Sequence, residues 1–206
     1  MRLRNLVYNQ TKLCEHLSNI MNQVGELIQE TIEAMECGAT DAAFAAACAA
    51  VEVTLKKSLE TDALTGGDYQ KFIKQHWQLL SFMGLPRALP MPLDVDFKLK
   101  GIVHGFHING AEELILHFVR QTAAMGRTPA QFKFHSGHAF EIRANQIYIP
   151  ATLIGGLVGI VIFQPANKNQ TVPDKYWINI SDFKMFVSEF WGRIDLAERI
   201  MNFYLH

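Results

Sequence analysis

The chain has 206 residues, 49% hydrophobic and 19% charged, the usage of an ordinary globular protein long enough to bury a core without disulfides. With 19 Lys and Arg against 20 Asp and Glu, the net charge of −1 excludes a general polyanion-binding coat and leaves open a local groove for RNA or protein. Three cysteines, Cys14, Cys37 and Cys48, form no CxxC pair, and an odd count suits a reducing, cytoplasmic setting.

The opening MRLRNLVYNQTKLCEHL breaks into polar residues before any continuous apolar stretch, so it does not read as a signal peptide. From Leu13 the positions Leu13, Leu17, Ile20, Val24 and Leu27 step by four and three, predicting a long amphipathic helix that continues past Ile32 and Met35. Gly38 is its expected left-handed cap, and Thr40 the expected N-cap of a second helix with Asp41 in its first turn. That helix, DAAFAAACAAVEVTLKKSLE, carries small side chains nearly all round in its first half, which predicts a central position; Lys56 and Lys57 read as its solvated end. TGG at 65–67 makes a turn, after which Asp68 caps a third helix bearing Phe72, Ile73, Trp77, Leu80 and Met83 as far as Gly84.

LPRALPMPLD, with prolines at 86, 90 and 92, is an extended connection. Residues 94–107, DVDFKLKGIVHGFH, satisfy two periods: Val95, Phe97 and Leu99 alternate like a strand, while Val95, Leu99, Ile102, Val103 and Phe106 follow helical spacing. Asn109 with Glu112 resembles a capping box opening a helix through Leu114, Phe118, Val119 and Met125, stopped by Gly126 and Pro129. QFKFH, AFEIR and QIYI read as short antiparallel strands, the first two joined through SGH, and VGIVIF and KYWINI are further strand candidates. LIGGLVGIVIF at 153–163 is too short for about 30 Å of hydrocarbon, so it reads as a buried core element and no membrane span is expected. Ser181 caps a last helix with Phe183, Phe186, Val187, Phe190, Trp191, Ile194 and Met201 on its apolar side. The expected fold is mainly α with a small β part (α+β): a single domain with a bundle of at least four helices over 1–129, a small antiparallel sheet within 130–180 and a terminal helix over 181–206.

Two HxxH pairs, His104 with His107 and His135 with His138, offer four nitrogens to zinc and define a metallohydrolase reading. Histidines three apart share a face only on a helix, the second pair falls in the expected hairpin turn and no HExxH accompanies them, so no metal site is expected. His117 and His76 read as packed or rim residues, and the cysteines as small core hydrophobes. GxxxxGK[ST], GxGxxG and GxSxG are all missing, so neither nucleotide nor other cofactor is expected.

ACAAVEVTLKK, the turn into YQKFIKQH, then KGIVHGF and, late in the chain, INISDFKMFVSEF together resemble the helical HEPN superfamily, associated with ribonucleases, toxins and antiviral defence, over residues 41–108 and 178–204. The resemblance implies a helix across 94–107 and paired subunits, and in catalytic members a metal-independent ribonuclease motif of an Arg, four to six residues and a His beside the inter-subunit cleft. Here His104 stands at the motif His, while the permitted Arg positions hold Phe97, Lys98 and Leu99. The leading expectation is therefore a non-catalytic protein- or RNA-interaction module linked to defence or toxin–antitoxin systems. It is expected to be a homodimer, because the helical hairpin offers more apolar stripe than one small bundle buries. The alternative is an endoribonuclease: His104 assists proton transfer as a ribose 2′-hydroxyl attacks the adjacent phosphate, Lys98 or Lys100 steadies the phosphorane charge, and His107 and Asn109 contribute binding.

Overall fold

The computed structural model describes residues 22–85, 101–103, 106–108, 111–137, 140–143, 146–180 and 183–205. Helix α1 (Gln23–Glu36) buries Val24, Ile28 and Ile32 on the stripe expected of it; the upstream turns from Leu13 lie outside the described residues. Gly38, at φ 72, closes it in the left-handed conformation that only glycine adopts without strain. Thr40 is not the N-cap of α2 (Thr40–Leu59) but its first helical residue, with Ala39 in the cap and no side-chain bond there. Asp41 does lie in the first turn. The alanine face works as expected: Ala43, Ala46, Ala47 and Ala50 are buried, and α2 lies centrally against α1, α3, α5 and α6.

The expected third helix is two. Helix α3 (Gly66–Gln75) starts from a capping box in which Thr65, rather than Asp68, is the N-cap, and Asp68 returns the bond from the third position. The helix breaks at His76 (φ −106, ψ 12), whose ring is bonded into the interior, and α4 (Trp77–Gly84) follows.

Strands β1 (Gly101–Val103) and β2 (Phe106–Ile108) pair antiparallel, which corrects the helix implied for this stretch. Glycines at 101 and 105 penalise a helix, and β-branched Ile102, Val103 and Ile108 suit a pleated pair. Residues 94–100, 104 and 105 lie outside the described set. Helix α5 (Ala111–Met125) ends at Gly126 (φ 63) as the sequence requires.

Strands β3 (Phe132–His135), β4 (Glu141–Arg143) and β5 (Gln146–Pro150) form the small sheet in the C-terminal half, in the order β3-β5-β4. Only β4 and β5 are antiparallel; β3 runs parallel to β5, so the expected hairpin across SGH is not formed. The apolar run then makes helix α6 (Leu153–Ile162), not a strand from VGIVIF: buried on almost every face, it has no period by which its sequence could separate helix from strand. Strands β6 (Trp177–Ile180) and β7 (Phe183–Phe186) pair antiparallel, so Phe183 and Phe186 belong to a strand and the last helix, α7 (Ile194–Leu205), starts later than expected. Gly192 explains the delay: its φ of 74 interrupts a right-handed helix, and its N–H bonds to the Ile162 carbonyl at 2.8 Å. Ser181 is outside the described residues.

The protein is thus mainly α with a small β part. Buried residues from all seven helices and from β3, β5 and β6 join one hydrophobic cluster. At its centre Phe118 stacks on Phe44 with ring centroids 4.2 Å apart and meets Phe132 at 3.9 Å. Among the described residues no helix is long and apolar enough to cross a membrane.

Candidate interaction site

Of the residues singled out for chemistry, Lys98, Lys100, His104 and Asn109 lie outside the described residues, as does His138. His107 falls in β2, paired with Ile102. His135 ends β3, where its Nδ1 accepts the Gly137 N–H at 3.2 Å and its ring meets Tyr148 edge-on. Among the described residues no group of three or more His, Cys, Asp or Glu gathers as a metal site. Cys48 is a core residue whose thiol pKa is pushed up by burial, whereas Cys37 corrects the expectation of core packing by lying exposed at the end of α1.

The segment after α6, QPANKNQ at 164–170, supplies three buried amides that fasten three helices. Gln164 donates its amide N–H to His76 Nε2 at 2.6 Å, which leaves Nδ1 to carry the ring proton and donate to the Phe72 carbonyl at 2.9 Å. Asn167 donates to Thr54 Oγ1 and to the Val161 carbonyl, both at 2.9 Å, and Gln170 accepts the Gly25 N–H at 3.0 Å. Lys57 is exposed, as a solvated helix end should be, and also donates to the Asn167 side-chain oxygen at 3.3 Å, while partial burial lowers its pKa; Lys56 pairs with Glu52 at 2.7 Å.

His76 titrates with a consequence. Burial lowers its pKa from the ordinary 6.5. As pH falls below that ordinary value, the unfolded chain binds a proton that the folded ring resists, so folding stability falls with acidification. The urea midpoint should drop between pH 7.5 and 5, and His76→Asn should flatten that dependence; an unchanged slope in the variant would contradict the assignment.

A polar cleft of about 740 Å³ opens between the C-terminal turn of α2, the N-terminus of α1 and residues 166–170; Lys56 and Lys57 line it alongside Glu60 and Asp62. Glu60 has φ 51, the one positive-φ non-glycine among the described residues. The charges there are mixed, which matches no single ionic ligand.

The second concavity, of about 390 Å³, is apolar. Ile32 and Met35 of α1, Met83 of α4, Gly155 and Val158 of α6, and Trp177 and Ile178 of β6 line it, with Thr152, Glu36 and Asn179 at its polar margin. Its volume is in the range of pre-formed binding sites, roughly 300–1,000 Å³. Met35 is 43% exposed at its mouth, and Lys184 lies 3.7 Å over the Trp177 ring. The outward face of α1 beside it carries Glu26, Glu30, Glu33 and Glu36, and the helix has no Lys or Arg. Tyr176 donates its hydroxyl to Glu33, which with Lys175 nearby holds that carboxyl below its ordinary value. Sequence reasoning placed Met35 and Met83 on the apolar sides of helices and Trp177 in a strand candidate, none of them in a groove. The available signal was the pair of adjacent glycines, Gly155 and Gly156, inside an otherwise bulky apolar run.

Comparison with known proteins places these elements in one family. The family model described as Rv1289 matches residues 23–205, the whole span from α1 to α7. The chain is similar to the uncharacterized protein Rv1289 of Mycobacterium tuberculosis (strain ATCC 25618 / H37Rv) and to the uncharacterized protein Mb1320 of Mycobacterium bovis (strain ATCC BAA-935 / AF2122/97). Each is 22% identical over 194 residues, covering 87% of this chain and 88% of the relative. No solved structure matches the chain.

Proposed function

The chain belongs to the Rv1289 family, and from the geometry above we propose that it is a non-catalytic, HEPN-like interaction module of the cytoplasm that engages a protein partner. The carrying observation is the apolar groove of about 390 Å³ walled by α1, α4, α6 and β6 and open at Met35. Grooves of this kind bury the anchoring side chains of a partner. Its acidic neighbour, α1, disfavours RNA, because nucleic-acid affinity comes chiefly from cations that neutralise phosphates. A link to defence or toxin–antitoxin systems rests on the sequence resemblance alone.

Selection from a random-peptide library on the wild-type protein, with counter-selection on Gly155→Leu, tests this reading. A Cβ built on Gly155 meets only the Met83 carbonyl, at 3.8 Å, so a side chain can be attached at this groove-lining position without a clash at its first carbon. Peptides that bind the wild type and fail on the variant are expected; enrichment indifferent to the variant would sink the reading. The ribonuclease alternative is checked beside it. The strand pair around His104 and the missing Arg both favour no cleavage of a varied RNA panel by the wild type, Lys98→Arg or Leu99→Arg without added metal.

The homodimer reading finds support on α7, which leaves Phe203 79% exposed. A large aromatic exposed on a terminal helix is a surface that a second copy could cover in a two-fold interface. Light scattering at tens of micromolar should give a dimer that Phe203→Glu converts to a monomer. A wild-type monomer would remove this part of the proposal.

A further inference from the structure

We propose that the groove receives a basic amphipathic helix of the partner protein, its apolar face in the cavity and its Lys or Arg side chains along the acidic face of α1. This rests on the interaction-module reading and narrows it to one class of partner.

Shape and charge both point there. The cavity lies between α1, α4, α6 and β6, and its lining includes Met35, Met83, Gly155 and Val158. Methionine side chains adapt to differing aliphatic groups, and a glycine in the lining lets an inserted group approach the α6 backbone. An amphipathic helix offers such groups at i, i+4 and i+7 along one face, one of the recurring ways a partner fills an apolar groove.

The charge argument is independent of the shape. Glu26, Glu30, Glu33 and Glu36 step by four, three and three, so they form one stripe along the exposed side of α1. The stripe is about 15 Å long at 1.5 Å per residue. It ends at Glu36, which itself borders the groove. The C-terminus of α1 adds its negative helix-dipole end at the same place, with no basic residue in the last turn to offset it. Glu33 is engaged by Tyr176 and faces Lys175, so Glu26, Glu30 and Glu36 carry the attraction. A helix with its apolar side in the slot therefore turns its flank towards three carboxylates, which select Lys or Arg and reject Asp or Glu.

The test uses the full chain and a fluorescein-labelled, helix-forming peptide of about 18 residues, with Leu and Lys arranged on the amphipathic period. One control replaces every Lys by Glu, and another shuffles the order at equal composition. Fluorescence anisotropy should show the Leu/Lys peptide binding about tenfold or more tightly than either control. Gly155→Leu should weaken it by about tenfold through blockage of the slot, and so should the double variant Glu26→Lys/Glu30→Lys through charge reversal. Met35→Asp, at an exposed position, supplies a second blocking variant should the leucine disturb folding.

Equal binding of the Leu/Lys peptide to wild type and to both blocking variants would mean surface attraction alone and overturn the proposal, as would equal binding of the shuffled peptide. Conversion of dimer to monomer by Gly155→Leu would assign the slot to a second copy. That result also overturns it. Failure here is distinct from failure of the broader reading: library peptides that depend on the groove but are acidic or unpatterned would discard the basic helix and keep the module, whereas no groove-dependent peptide would discard both.

Discussion

Phe118→Ala is expected to destabilise the protein by about 3–5 kcal/mol, the range of a buried aromatic truncation. Phe118 has no solvent exposure, and its ring is the junction between helix and sheet: it stacks on Phe44 of α2 and meets both Phe132 and Phe134 of β3. Truncation removes the transfer energy of the ring and opens a cavity bounded by three aromatic side chains. The walls cannot close readily, because Phe44 belongs to the central helix and Phe132 is tied by register to Ile147 of β5. A chain of this length should lose roughly 10 °C or more of Tm, read by circular dichroism in parallel with a urea midpoint. Phe118→Leu should recover about half of the loss, since it refills much of the volume without the ring contacts. A Tm shift of only a degree or two for the alanine variant would mean that the Phe44–Phe118–Phe132 cluster does not anchor α5 to the sheet.

The helices were legible wherever one face meets water. In α1 and α5 the apolar period survives because the opposite face is charged, and glycines at 38 and 126 terminate them by their backbone freedom. Legibility failed where that contrast disappears. The run at 153–162 is buried almost all round, so its sequence has no polar face to report its period, and VGIVIF read as a strand candidate although it is helical. Residues 183–191 failed for another reason. Phe183, Phe186, Val187, Phe190 and Trp191 fit helical spacing, but the left-handed Gly192 and the pairing of β7 with β6 override that local pattern. The buried ring of His76, at the helix break, is bonded to Gln164, 88 residues away, a contact no local reading can supply.

The site was less legible than the fold. The histidine pairs stand out in sequence because His is rare and spacing is visible, but His104 and His138, one of each pair, lie outside the described residues. The groove is built from residues that any pattern assigns to the core, drawn from four separate elements, and a groove differs from a core only in what is missing above it. The acidic stripe of α1 was visible as a polar face, but its significance comes from the apolar slot beside it.

Gly156→Val is expected to cost more than about 3 kcal/mol, beyond the usual range for overpacking, because the clash is with backbone. A Cβ at Gly156 would stand 2.5 Å from the Leu80 carbonyl oxygen, 3.0 Å from Gly84 Cα and 3.1 Å from Gly84 N. None of these is the end of a flexible side chain, so α4 must move off α6. The converse contact agrees, since a Cβ at Gly84 would lie 3.2 Å from Gly156 Cα. Separation of the two helices would also strain the bond from Thr152 Oγ1 to the Gly84 carbonyl, now 2.7 Å, and would shift Met83 away from the slot. The valine variant should therefore lose stability and peptide binding together. Gly155→Ala, one position earlier, provides the contrast: its Cβ meets only the Met83 carbonyl at 3.8 Å, and replacing a helical glycine by alanine favours the helix by about 0.8–1 kcal/mol. The alanine variant should melt at or above the wild-type temperature. Equal melting temperatures for Gly156→Val and the wild type would show that α4 and α6 do not approach as closely as this packing requires, and would remove one wall from the proposed groove.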